Sequence, residues 1–184
     1  MPSLLRKLLF FRNLINNLIN RRKPEPENIT EEKWIADFGK PKLARFNSKS
    51  EPAYDTSLRK NPFHSGHSLV LALKKTGCIA WVEASGPCYR DLVISGSVRI
   101  DPKGGYGAGG VLFRMVDEQT YYSMLISSRS YFRLDALRNG MPFPLAGWTE
   151  LPLSAGALSP DQTVDFSVIA FGSRIVILIQ GRWA

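Results

Sequence analysis

From Ser68 onward, hydrophobic and polar residues alternate with a period of two in short runs. The runs end at turn-forming residues such as Asp117-Glu118, Asn139-Gly140 and Phe171-Gly172-Ser173. This alternation is typical of half-buried strands joined by tight turns. It predicts strands near residues 68–74, 78–84, 91–100, 109–117, 119–127, 130–138, 163–171 and 173–181. The predicted fold class is therefore all-β, an antiparallel sandwich of two sheets.

The parity of the central strands assigns their side chains to two faces. One face is mainly apolar and is predicted to form the inner layer between the sheets. Its members are Leu92, Ile94, Val98, Ile100, Val111, Phe113, Met115, Tyr122, Met124, Ile126, Phe132, Leu134 and Ala136. The other face is polar and is predicted to lie outside. Its members are Ser95, Ser97, Arg99, Arg114, Tyr121, Ser123, Tyr131, Arg133 and Asp135.

The polar face supplies the candidate ligand-binding residues, which are Arg99, Arg114, Tyr121, Arg133 and Asp135. Planar guanidinium groups and phenol rings suit hydroxyl-rich or anionic sugars, through hydrogen bonds and stacking. The alternative is cross-strand charge pairing on a solvated sheet face. Trp148 has two interpretations as well, a ring that stacks on the ligand or a buried loop anchor.

The N-terminal part differs in pattern from the strands. Residues 3–22 predict an amphipathic helix, with Leu4, Leu8 and Phe11 among the residues on its apolar face. The predicted organisation is a basic helix over 1–23, a linker and irregular wrap over 24–63, and the sandwich over 64–184. Three roles stay open for the helix: contact with an anionic membrane surface, pairing with a partner helix, or packing on its own domain.

The net charge of +8 is concentrated in that helix. Residues 1–23 carry six basic and no acidic side chains, whereas residues 64–184 carry eleven basic and nine acidic ones. A basic surface is therefore not predicted for the sandwich, and no nucleic-acid partner is expected. Cys78 and Cys88 are too few for a disulfide framework and predict free thiols in a reducing compartment. The expected location is cytoplasmic, with membrane association left open by the helix.

Two further patterns match chemical motifs only formally. The run from Gly105 to Gly110 has the spacing G-x-G-x-x-G, but a strand follows it instead of the helix that a dinucleotide site requires. We therefore interpret it as a turn with a bulge. His64 and His67 are the only histidines, and no further ligands are evident beside them, so no metal site is assigned.

Several segments resemble the concanavalin A-like lectin/glucanase superfamily, most closely its laminin-G-like and sugar-hydrolase-like branch. The matching segments are 98–101, the glycine-rich turn, 110–114, Tyr121-Tyr122, 131–134, Gly147-Trp148 and 177–181. The resemblance covers roughly residues 63–184 and implies a jelly-roll sandwich, which hosts many functions. Domains of this kind normally continue with further strands beyond the point where Ala184 ends this sequence. The expectations are a truncated chain, pairing supplied by residues 30–63, or an open sheet edge where a partner could dock.

The resemblance leaves activity undecided. Glycosidases of this fold use clustered carboxylates spaced Glu-x-Asp-x-x-Glu, since their chemistry needs two carboxyl groups close together. Here Glu83, Asp135 and Glu150 are isolated in the sequence, so no catalytic residue is assigned. The superfamily includes calcium-binding members, but no dense Asp/Asn loop assigns a calcium site, and no cofactor is predicted.

The functional prediction is a non-catalytic binding module for a carbohydrate or protein ligand on the Arg/Tyr-lined face. One alternative is a glycan-processing hydrolase that uses Asp135 or Glu83. The other is a subunit of a larger assembly, docked through its helix and an open sheet edge.

Overall fold

Every regular element in the described residues is a β-strand. The computed structural model describes residues 51–60, 67–84, 89–101, 106–151 and 162–184, all within one compact unit, Asp37–Ala184. The strands are β1 (Tyr54–Lys60), β2 (His67–Leu73), β3 (Leu92–Arg99), β4 (Ala108–Asp117), β5 (Thr120–Ser127), β6 (Tyr131–Arg138), β7 (Met141–Glu150), β8 (Thr163–Phe171), β9 (Arg174–Ile179) and β10 (Arg182–Trp183). The all-β antiparallel class is thereby confirmed. The predicted helix over 3–22, His64 and Cys88 lie outside the described residues.

The strands form two four-stranded sheets and one separate hairpin, with antiparallel pairing throughout. We call the sheet with the order β4-β5-β6-β7 the meander sheet, because successive strands along the chain are neighbours in it. The second sheet, which we call the β8 sheet, has the order β10-β9-β8-β3. Strands β1 and β2 pair only with each other in the described residues.

One hydrophobic core joins the two four-stranded sheets. The meander sheet contributes Phe113, Met124, Ile126, Phe132 and Leu134, and the β8 sheet contributes Val164, Phe166, Val168, Ala170, Ile177 and Ile179. Because both sets belong to a single buried cluster, the sheets pack face to face as a sandwich. The inner layer that parity predicts is confirmed for most of its members, including Leu92, Ile94 and Val111, which pack against this cluster.

The strand predictions fail in four places, the shortest of which is β10, two residues beyond the predicted end at residue 181. Strand β7 lies outside the predicted strands, and its sequence contains Pro142 and Pro144, which lower strand tendency. It lies at the edge of the meander sheet, where an N–H that would face away from β6 has no ladder partner to lose. Strand β1 was placed in the irregular wrap, since its polar sequence lacks a clear alternation. Residues 78–84 were predicted to be a strand but form no more than a single bridge, at Ala84.

Candidate functional site

Arg133 and Asp135 form an ion pair on the outer face of the meander sheet. They are two residues apart on β6, so both side chains lie on the same face. The Nε–H of Arg133 donates to both carboxylate oxygens of Asp135, at 2.9 and 2.7 Å. Asp135 is buried, and the Arg133 side chain is 29% exposed. The pair therefore holds a guanidinium group in a fixed position near the surface.

Two exposed aromatic rings lie beside this pair. The guanidinium carbon of Arg133 is 5.9 Å from the centre of the Trp148 ring. The Tyr106 ring meets Trp148 edge to face, with centroids 6.3 Å apart and an interplanar angle of 83°. Their exposed fractions are 54% for Tyr106 and 40% for Trp148. Exposed rings of this size offer a flat surface on which a ligand can stack.

A second guanidinium group extends the arrangement. The guanidinium carbon of Arg129 is 5.2 Å from the centre of the Tyr106 ring. Cations at such distances from an aromatic ring are attracted by its quadrupole. We call Tyr106, Arg129, Arg133, Asp135 and Trp148 the arginine–aromatic cluster.

The β5–β6 turn holds Arg129 in place. The hydroxyl of Ser127 accepts hydrogen bonds from the backbone N–H groups of Arg129, at 3.3 Å, and Tyr131, at 3.2 Å. Ser127 is fully buried, so its side chain acts as a fixed acceptor beneath the turn. The turn thus presents its exposed arginine from a defined backbone.

The segment before β4 is attached to the same turn. The backbone N–H of Ser128 donates to the carbonyl of Gly107 at 2.9 Å. In return, the backbone N–H of Gly107 donates to the Ser128 hydroxyl at 3.4 Å. Because Gly107 follows Tyr106 directly, these bonds keep the Tyr106 ring close to Arg129. The cluster is therefore built from the segment before β4, the β5–β6 turn, β6 and β7.

A bulge brings Trp148 to the face of Arg133. The register between β6 and β7 shifts between Phe132 and Leu134. On either side of the shift, Phe132 pairs with Thr149 and Leu134 pairs with Ala146. Two residues of β7, Gly147 and Trp148, therefore face the single residue Arg133. Bulges of this kind reorient side chains at sheet edges.

Tyr121 lies on the outer face as predicted, but its ring is buried. It is 6% exposed and pairs with Leu137 of β6. Ser123 on the same strand is equally buried and lies opposite Asp135. Tyr121 thus contributes packing to this face, and its ring has little surface for a ligand.

Arg99 is not brought to the cluster. It ends β3 in the β8 sheet, opposite Thr163 of β8. The outer face of that sheet carries a polar ladder, with Ser97 donating to Asp165 at 2.6 Å and the hydroxyls of Ser95 and Ser167 2.9 Å apart. Parity alone could not separate these residues from Arg133, because it does not say which strands share a sheet.

Arg114 also lies away from the cluster, and a bulge is the reason. The pairing of β4 with β5 is irregular between Phe113 and Asp117, and Arg114 has a left-handed backbone with φ of 50°. Its Nε–H donates to the carbonyl of Arg90 at 2.6 Å, and an Nη atom lies 3.3 Å from Asp91. The same bulge explains why Met115 is not part of the core cluster.

Through its contact with Arg114, Asp91 connects the two sheets. The oxygen that faces Arg114 also accepts the backbone N–H of Gly172, in the turn between β8 and β9, at 2.8 Å. One carboxylate therefore connects β4 of the meander sheet to the β8–β9 turn of the β8 sheet. The outer face that parity predicts is thus divided: Tyr121, Arg133 and Asp135 share it, whereas Arg99 and Arg114 lie elsewhere.

We expect Arg114→Ala to lower the free energy of unfolding by about 1–2 kcal/mol, because it removes charge-assisted hydrogen bonds from a side chain that is 14% exposed. Urea unfolding followed by fluorescence measures the change, and ligand binding should stay unchanged. Loss of binding without loss of stability would instead place Arg114 at a ligand site.

Sequence reasoning missed Tyr106 and Arg129. Tyr106 lies within the glycine-rich run and Arg129 lies within a Ser-Arg turn. From the sequence, both segments are interpreted only as turns that connect strands. An exposed aromatic residue in one turn and an arginine in another could have indicated surface chemistry. Only the fold shows that the two turns are hydrogen-bonded to each other.

The described residues contain no group of three or more His, Cys, Asp or Glu side chains placed to hold a metal ion. Within the same ranges, no helix has the length and apolar character needed to cross a membrane. Cys78 is a free thiol, whose Sγ lies 3.0 Å from the carbonyl oxygen of Lys75.

Comparison with known proteins gives two similarities, and no family model matches the chain. The chain is 25% identical over 230 residues to a TPR repeat-containing protein of Treponema pallidum (strain Nichols). The matched region covers 97% of this chain and 27% of that protein. The chain thus spans about a quarter of the length of this curated relative. Among solved structures it is similar to the carbohydrate binding module CBM66 from Bacillus subtilis, with 19% identity and a TM-score of 0.46 over 56% of this chain and 61% of the module. At this level of similarity we base no functional argument on the module.

Proposed function

We propose that this chain is a non-catalytic binding module that recognises carbohydrate at the arginine–aromatic cluster. The observation that carries the proposal is the contact between two exposed aromatic rings and a fixed Arg–Asp pair on one surface. Ligand sites in proteins combine an apolar or aromatic surface with a few well-placed polar groups. A sugar ring presents both an apolar C–H face and hydroxyl groups, and so matches this combination.

Arg133, held by Asp135, has further N–H donors that can bind the hydroxyl groups of a sugar. Arg133 uses its Nε–H on Asp135, while its Nη groups have no hydrogen-bond partner in the described residues. A guanidinium group carries five N–H donors in a fixed planar array. The ion pair thus fixes the plane of Arg133 and leaves donors for ligand oxygens, so little side-chain entropy is lost on binding.

The glycan-processing alternative rests on a carboxylate that could act on a substrate. Both oxygens of Asp135 accept hydrogen bonds from Arg133, so this carboxylate is engaged within the protein. Glu83 is exposed and lies in a segment without a regular strand. The arrangement of the described side chains therefore supports binding in preference to hydrolysis.

The finer fold assignment belongs to the same proposal. A concanavalin A-like jelly roll, as the sequence motifs imply, agrees with two antiparallel four-stranded sheets around one core. Domains of this architecture host many functions, so the binding role depends on the cluster and not on the fold.

The proposal is tested by screening the 184-residue chain against an array of neutral and anionic glycans. A specific ligand should be lost in the double variant Arg133→Ala/Asp135→Ala, which removes both charges together and leaves neither one buried and unpaired. The matched control is Lys74→Ala/Asp55→Ala, which removes another 2.7 Å ion pair, located at the β1–β2 hairpin.

The control variant should bind like the wild type. A glycan ligand that both double variants retain would overturn the location of the site. A folded protein that binds no glycan would overturn the carbohydrate proposal and favour the assembly-subunit alternative. For that alternative, edge strand β7 offers a surface to a neighbouring subunit, because its apolar residues Met141, Phe143 and Leu145 are exposed.

A further inference from the structure

The charges of the arginine–aromatic cluster are not equally available to a ligand. Arg133 is neutralised by Asp135, whose buried carboxylate lies 2.7 Å from its Nε. Arg129 makes no ion pair with any described residue, and its guanidinium carbon lies 5.2 Å from the centre of the Tyr106 ring. The exposed positive charge beside the stacking surface is therefore that of Arg129.

The position of Arg129 is more defined than that of a typical surface arginine. Its backbone N–H is bonded to the buried hydroxyl of Ser127, and its guanidinium carbon lies over Tyr106. The guanidinium group carries its N–H donors in a planar fork, and the Tyr106 ring centre lies 5.2 Å from its carbon. A planar fork of this kind matches the two oxygens of a carboxylate, which arginine binds in a bidentate way.

The acidic side chain of Glu150 would repel an anionic ligand. Glu150 pairs in register with Tyr131 and is two residues from Trp148 on β7, so it lies on the same face as the cluster. It is exposed and has no ion pair with Arg129. Its charge should weaken, without abolishing, the attraction of an anion, because solvent screens exposed charges.

We propose that the ligand is an acidic glycan, in which a uronic acid binds its carboxylate to Arg129 while its sugar ring stacks on Tyr106 and Trp148. This inference rests on the proposed carbohydrate-binding function and specifies its ligand class. The hydroxyl groups of the same sugar would be left to the Nη donors of Arg133.

The test uses the 184-residue chain and a panel of uronic-acid trisaccharides, each paired with its methyl ester. Esterification removes the negative charge and leaves the sugar rings unchanged. Isothermal titration should show the acid binding about tenfold more tightly than the ester. The preference should fall as salt rises, because exposed charge interactions are screened.

Two variants test whether Arg129 causes the preference for the acid over the ester. Arg129→Gln should abolish the preference for the acid, because glutamine carries no positive charge to pair with the carboxylate. Glu150→Gln should strengthen binding of the acid about two- to threefold, since it removes a like charge. Neither exposed residue has a resolved role in the core, so the thermal midpoint of both variants should match the wild type.

The outcomes separate this inference from the proposed function. If acid and ester bind equally well to the wild type, the inference fails and the carbohydrate-binding function stands. If the preference survives in Arg129→Gln, Arg129 is not the group that recognises the carboxylate and the inference also fails. If no glycan in either form binds to folded protein, the proposed function fails with it.

Discussion

Replacing Gly110 with alanine should destabilise the sandwich by about 3 kcal/mol or more. A Cβ atom built at Gly110 would overlap the carbonyl oxygen of Met124, and it would lie 2.9 Å from the Met124 carbonyl carbon and 3.1 Å from the Leu125 Cα. All three atoms belong to the backbone of β5, which pairs directly with β4 at this point. The clash can therefore be relieved only by separating two strands of the sheet.

A loss of this size is a large fraction of the stability of a small domain, which is typically about 5–15 kcal/mol. Urea unfolding and the thermal midpoint measure it. The matched control is Gly147→Ala on β7, where a Cβ would meet nothing within 4 Å. We expect the control to change stability by no more than about 0.5 kcal/mol. Equal stability of the two variants would contradict the register between β4 and β5.

The glycine-rich run around Gly110 shows what sequence reasoning could and could not give. A strand is expected after its G-x-G-x-x-G spacing, in place of the helix that a dinucleotide site requires. Ala108 to Gly110 belong to that strand, β4. The need for glycine at position 110 could not be predicted, because it arises from the close approach of β5 in the folded sheet.

The core was predictable because it depends on local alternation. In β5 and β6, every second residue is apolar, and several of these residues are almost fully buried, such as Met124, Ile126 and Phe132. The rule fails where the pairing is irregular. At the bulge that begins after Phe113, Arg114 turns toward Asp91, and no sequence periodicity marks that change.

The candidate site was predictable only in part for the same reason. Arg133 and Asp135 are two residues apart on one strand, so their shared face follows from the sequence. Tyr106 and Trp148 are 42 positions apart, and they meet because two turns are hydrogen-bonded and a bulge rotates β7. Such long-range contacts are set by the tertiary structure and leave no local signal.

Trp148→Ala should reduce glycan affinity about thirtyfold, because a central aromatic residue of a binding site commonly contributes about 2 kcal/mol. The variant removes the ring between Arg133 and Tyr106 and leaves the Arg133–Asp135 pair in place. Titration with the best ligand from the glycan screen measures the loss. The ring is exposed, so the free energy of unfolding should change little.

Strand β7 itself provides the control for this variant. Phe143 is a second exposed aromatic residue, 49% exposed against 40% for Trp148. It pairs with Ala136, on the face opposite to Arg133 and Asp135. Phe143→Ala should therefore bind glycan like the wild type. If Phe143→Ala loses affinity and Trp148→Ala does not, the ligand is bound on the other side of the edge strand. Equal losses would indicate a general effect of β7 on the fold, since the two rings share a strand but not a surface.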